Sequence, residues 1–239
     1  MKQNGVASSL PKGFAAGGTY CGVCRSRVKL DLALLTSTTD CVIVMDTPHE
    51  TTGYTGKAVL LHHGVALPDG ARGREITTEI CDAAAYYLQC HAGDVQFFAY
   101  GMDGQFFRPS LVVQSLQNVL ANLDTVRNGT VDKVIDTIGD VTKGAVTLAG
   151  GKAKMCAVDA DGLRNQLGIC LVTTDCLAGA AQIEKAITQC KSTVDLHDYV
   201  LLVMANGAAK EAVTEAELTQ GIEQVLLDVG FQKVLQDVI

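Results

Sequence analysis

Two apolar strands flank a short polar turn and run straight into a helix start between Gly150 and Cys176, and this stretch limits the chain to folds that layer helices on a sheet. Lys152 to Val158 reads as a strand. Asp159-Ala160-Asp161-Gly162 supplies the acceptors and the glycine that a tight turn needs, Leu167 to Val172 reads as a second strand, and Thr173-Thr174-Asp175 has the chemistry of a helix N-cap.

Other segments repeat this alternation. Asp31 to Leu35, Cys41 to Met45 (CVIVM), Lys57 to His62 (KAVLLH), Asp94 to Tyr100, Ala145 to Leu148 and Tyr199 to Ala205 (YVLLVMA) read as strands. Helical spacing of apolar residues predicts helices over Glu75–Cys90, Leu111–Leu123, Leu177–Cys190 and Glu215–Leu227, the last with acidic residues at its start as the helix dipole favours. Asp46 to Gly56 and His63 to Gly73 read as loops, residues 127–140 as helix or turn, and residues 1–12 as a loose arm. The expected fold class is α/β, with sheets layered in an α/β/α manner. A length of 239 residues suits one such domain, with possible sub-lobes over 1–140 and 141–239.

A net charge of −7 with no Lys/Arg cluster beyond Arg25-Ser26-Arg27-Val28-Lys29 argues against a nucleic-acid surface. No apolar run reaches the ~20 residues of a membrane span, and the N-terminus has no signal-peptide core, so a cytoplasmic protein without nucleic-acid or membrane partners is expected. Only 19% of residues are charged, which favours covering apolar faces by self-association; a homo-oligomer is expected.

Nine cysteines in such a chain read as reduced, buried small hydrophobes, Cys41, Cys156, Cys170 and Cys176 lying in or beside strands. Cys21-Gly22-Val23-Cys24 has the spacing of a redox pair or half a zinc site, but no second pair at metal-ligand spacing follows, so neither a metal nor another cofactor is expected. A redox reading would require a reversible disulfide between Cys21 and Cys24.

Pro11-Lys12-Gly13-Phe14-Ala15-Ala16-Gly17-Gly18, then Asp31-Leu32-Ala33-Leu34-Leu35, Val172-Thr173-Thr174-Asp175, Thr193-Val194-Asp195 and Leu201 to Gly207 (LLVMANG) occur in an order that resembles the ornithine acetyltransferase (glutamate N-acetyltransferase) family of arginine biosynthesis. The resemblance implies a protein that cuts its own chain at an Ala-Thr bond. The freed Thr then carries an acetyl group from N-acetylornithine to glutamate, with a Thr-Gly pair as oxyanion hole. Counting back from Thr173-Thr174-Asp175, that bond falls at Gln166-Leu167, and leucine cannot attack a carbonyl.

The Gly-rich, Lys-containing approach to the nucleophile is replaced by the Val158 to Leu163 turn, and the chain stops where the family has a further C-terminal segment. Tyr100-Gly101 stands at the oxyanion position, and His62-His63-Gly64 where the family has an Asn-rich loop.

Candidate replacement nucleophiles are Thr173, Cys170 and Cys176. Candidate substrate-binding residues are Tyr100, Gly101, His62, His63, Thr174 and Asp175, and Asp159 with Asp161 forms a possible carboxylate pair. Strand alternation puts Cys170 on the face opposite position 167, and only one of His62 and His63 can face a pocket. Two readings stay open: a binding or assembly module, for a small acyl or amino-acid metabolite or for another protein, that does not process itself, or an acyltransferase or amidohydrolase of N-acyl amino acids with a different nucleophile.

Overall fold

The computed structural model describes residues 10–23, 30–102, 107–125, 141–160 and 168–232. Its longest strands determine the architecture. The segments Asp31–Leu35 and Cys41–Met45, which read as two strands, form one: β2 runs from Leu32 to Asp46, following the shorter β1 (Phe14–Thr19). The polar run between the two apolar segments stays in the strand as a register irregularity between Thr36 and Cys41. Such a bulge bends and twists the strand without ending it.

β3 (Thr51–Val65) returns antiparallel along the whole of β2, so the expected loop at 46–56 shrinks to the turn after Asp46. The Thr- and Tyr-containing segment Thr51-Thr52-Gly53-Tyr54-Thr55 has β propensity of its own, and its ladder to Val42–Asp46 satisfies its backbone.

The remaining elements are α1 (Ala71–Leu88), β4 (Val95–Met102), α2 (Pro109–Ala121), the two-residue β5 (Asp124–Thr125), β6 (Val141–Leu148), β7 (Ala153–Ala160), β8 (Gly168–Thr174), α3 (Ala180–Cys190), β9 (Tyr199–Ala205) and α4 (Glu215–Asp228). They join a mixed sheet in the order β4-β3-β2-β9-β8-β7-β6. The β3/β4 and β8/β9 pairs are parallel, and the other pairs are antiparallel. With β3 along one edge of β2, the other edge carries β1 on its first half and β9 on its second.

That division folds the sheet into two facing halves. Alternation along each strand sends Ala33, Leu35, Val59 and Leu61 of one half into the same apolar layer as Ile169, Leu171, Leu202 and Met204 of the other. The opposite side chains, Leu32, Leu34, Ala58 and Leu60, pack under α1 and α2, and Cys170, Val172, Leu201 and Val203 pack under α3 and α4. The order is therefore helices, sheet, sheet, helices, a layered α/β fold as the sequence implied. The strands around Val59, Phe97, Leu171 and Leu202 lie in its core.

The helices follow their periodicity. Ile183, Ala186, Ile187 and Cys190 of α3 are buried at the spacing of one face. α4 opens on a capping box, in which the Thr214 hydroxyl accepts from the Glu217 N–H and the Glu217 carboxylate accepts from the Thr214 N–H. Among the described residues no helix is long and apolar enough to cross a membrane. The expected helix or turn at 127–140, the arm before residue 10, Asp161 and the Gln166-Leu167 bond lie outside the described residues.

Candidate functional site

Thr173 and Thr174 do not cap a helix. They are the last residues of β8, and α3 starts only at Ala180 with Gly179 at its N-cap. The extension of β8 has a physical cause in β7: the Thr174 hydroxyl donates to the Lys154 carbonyl at 2.9 Å, and the Asp175 carboxylate accepts the Lys154 N–H at 2.7 Å. The other Asp175 oxygen accepts the Lys12 N–H at 2.9 Å, which ties the N-terminal arm to the end of β8.

Asn206, one residue beyond β9, completes the junction. Its amide donates to the Lys12 carbonyl at 3.0 Å, its side-chain oxygen accepts the Ala208 N–H, and its own carbonyl accepts the Thr39 hydroxyl from the β2 bulge. Thr174 and Asp175 thus hold β7, β8 and the N-terminal arm together, and Asn206 adds the end of β9 and the β2 bulge. The family resemblance to this stretch corresponds to a junction of strand ends.

The candidate nucleophiles are equally enclosed. Thr173, Cys170 and Cys176 are all buried, Cys170 and Cys176 in the apolar layer beneath α3 and α4. Burial pushes the Cys176 thiol above its usual range, the Thr174 hydroxyl pulling the other way. A thiol held in its protonated form is a poor nucleophile. The described cysteines are thiols, and burial likewise pushes Cys41 up to about 11 and Cys190 up to about 12.

The candidate binding residues separate into different layers. Tyr100 faces the layer between the sheet halves, with Ile169 and Leu171, whereas His62 lies on the opposite face of the first half, edge-on to Phe107 at 5.4 Å. Gly101 and His63 sit in the β3/β4 ladder, where His63 pairs with Tyr100 and Gly64 with Gly101. β4 ends the sheet order, so its outer backbone edge has no strand partner among the described residues. Asp159 lies within β7, opposite Cys170, rather than in a turn. The strand continues through Ala160 because its ladder to β8 does.

The structure also assembles a cluster that linear spacing does not show. Asp31 is buried at the start of β2. Its carboxylate accepts the N–H of Cys21 at 2.5 Å and of Gly22 at 3.1 Å. The Cys21 sulfur lies 3.8 Å from Nδ1 of His62. Three neighbouring strands make this possible, since Thr19 pairs with Leu32 and Leu32 with His62, placing the end of β1, the start of β2 and the end of β3 side by side. Burial, with Asp31 adding to it, pushes the Cys21 thiol up to about 12, far from nucleophilic use. Cys24 lies outside the described residues. The clue available beforehand was Asp31, a carboxylate abutting an apolar strand.

Surface depressions occur elsewhere among the described residues. One of about 260 Å³ lies between Leu148, Gly150 and the Glu217–Gln224 face of α4, and one of about 590 Å³ lies beside Pro68, Arg74 and Thr78 at the start of α1.

No family model matches the chain, and no curated protein matches it. Among solved structures, the chain is similar to a beta-aminopeptidase from Burkholderia sp., at 12% identity with a TM-score of 0.54, and to a protein from Pyrococcus horikoshii, at 9% identity with a TM-score of 0.51. Each alignment covers 96% of this chain and 88% of the other. An ornithine acetyltransferase from Mycobacterium tuberculosis aligns over 64% of this chain and 86% of its own, at 20% identity and a TM-score of 0.48. The two near-complete alignments establish the likeness of fold.

Proposed function

We propose that the chain is a module that binds a small acyl or amino-acid metabolite and neither cleaves itself nor transfers acyl groups. The observation that carries this reading is the use of Asp175: both of its oxygens hold backbone N–H groups of β7 and of the N-terminal arm. Thr174 and Asp175, candidate substrate-binding residues, are occupied in holding strand ends together, and the candidate nucleophile Thr173 is buried beside them. The thiols of Cys170 and Cys176 beside them are buried, and burial raises the Cys176 thiol above its usual range.

Support for the ligand class comes from the segments that resemble ornithine acetyltransferases and from the fold shared with a beta-aminopeptidase. Both names describe proteins that handle an acylated amino group. The proposed place for the ligand is the Tyr100-Gly101 end of β4, at the end of the sheet order.

A thermal-shift series with N-acetylornithine, N-acetylglutamate and a β-amino-acid amide tests it. A ligand at a hundred times its dissociation constant adds ~2.7 kcal/mol of apparent stability. In a chain of this length that raises the midpoint by about 5–10 °C. No shift with any of the three at millimolar concentration would remove the proposal.

A further inference from the structure

Cys21, Asp31 and His62 bring a sulfur, a carboxylate oxygen and an imidazole nitrogen within 4.8 Å of one another. We propose that they form a binding site for one divalent transition-metal ion of the zinc class. The distances suit such an ion. With metal–sulfur and metal–nitrogen bonds of ~2.3 and ~2.1 Å, two ligands at adjacent corners of a tetrahedron stand about 3.6 Å apart. The Cys21 Sγ to His62 Nδ1 separation is 3.8 Å. The remaining separations, all within 4.8 Å, would contract toward tetrahedral values as the three side chains close on the ion.

The donor set selects the class of metal. Sulfur with imidazole favours zinc over magnesium or calcium, which take oxygen ligands. Charge points the same way: a thiolate, a carboxylate and a divalent ion sum to zero, which a dry site tolerates, and the thiol proton leaves to solvent as the metal binds. The site is dry, with Cys21 7%, Asp31 0% and His62 0% exposed.

Its surroundings also resemble a supporting shell. The Asp31 carboxylate is oriented by two backbone N–H groups, one on each oxygen. The His62 ring is held edge-on by Phe107, itself edge-on to Phe97. The ligands lie two residues past β1, one residue before β2 and within β3, three strands joined in one ladder, so an ion here would pin the β1/β2/β3 corner of the first sheet half.

Loading the full-length chain with Co²⁺, followed by dialysis and metal analysis, tests the site. The expected result is one retained equivalent, a near-ultraviolet thiolate-to-cobalt charge-transfer band, visible bands of tetrahedral cobalt, and displacement by Zn²⁺. Cys21→Ser is expected to abolish the charge-transfer band, and His62→Gln to lower retention at least ~10-fold. A wild-type chain that retains neither ion, or that binds cobalt without the thiolate band, overturns the proposal whatever the variants do. Retention unchanged in both variants also overturns it, because the ion then sits elsewhere.

Discussion

Replacing Asp175 with alanine is expected to cost about 4 kcal/mol of folding stability. The carboxylate accepts the N–H of Lys12 and of Lys154 in a setting where Asp175 itself is buried. Removing it leaves two backbone donors without their acceptor, each worth ~1–3 kcal/mol, and bonds to a charged acceptor lie at the upper end of that range. Asp175→Asn is expected to cost about half as much, because its amide keeps one acceptor and turns a donor toward the other N–H. Urea unfolding of the two variants checks both the size and the order. Near-equal, small losses would mean that the junction of β7, β8 and the N-terminal arm is not held by this residue.

A second large effect is expected at Gly17. A Cβ added there would stand 2.5 Å from the Val119 carbonyl oxygen and 3.0 Å from the Leu123 nitrogen, so the obstacle is backbone at the end of α2 rather than a side chain able to turn away. The paired Gly18 carbonyl accepts the Asn122 amide, which docks α2 on β1 at the same place. Gly17→Ala is expected to cost about 3 kcal/mol through displacement of α2 from β1. Thermal unfolding with the Gly70→Ala variant as comparison checks it; nothing lies within 4 Å of a Cβ at Gly70, although its φ of 74° adds local strain. A smaller loss for Gly17 than for Gly70 would show that the helix moves freely over the strand.

The parts of the fold legible in sequence are those whose local pattern has one outcome. Tyr199–Ala205 is a buried strand because apolar residues on both faces need cover on both, and Glu215–Asp228 is a helix because its periodicity and its cap agree. The failures have a common cause in non-local pairing. The polar residues Thr36–Asp40 look like a break, yet β3 spans them and keeps β2 continuous.

Thr173-Thr174-Asp175 looks like an N-cap because capping and strand-end chemistry use the same side chains. The acceptor chosen, Lys154 of β7, is 20 residues away. The Cys21, Asp31 and His62 cluster escapes a search for paired ligand spacings for the same reason: three strands bring its members together, and sequence intervals of 10 and 41 residues from Cys21 carry no signature. Tyr100 and His62, neighbours in the expected binding set, separate because they project from opposite faces of the same half-sheet.

On the proposed function, the fold serves binding while its strand-end polar residues serve structure, and no self-processing is expected. Self-cleavage would need a side-chain hydroxyl or thiol at the bond that the sequence resemblance sets against the acetyltransferase cut, and Gln166, Leu167, Gly168 and Ile169 provide none. Intact-mass spectrometry of the purified full-length chain is the most direct measurement. A single species at 25.2 kDa is expected, unchanged on prolonged storage at neutral pH. Two fragments whose masses sum to that value, with the new terminus at Leu167, would contradict the claim.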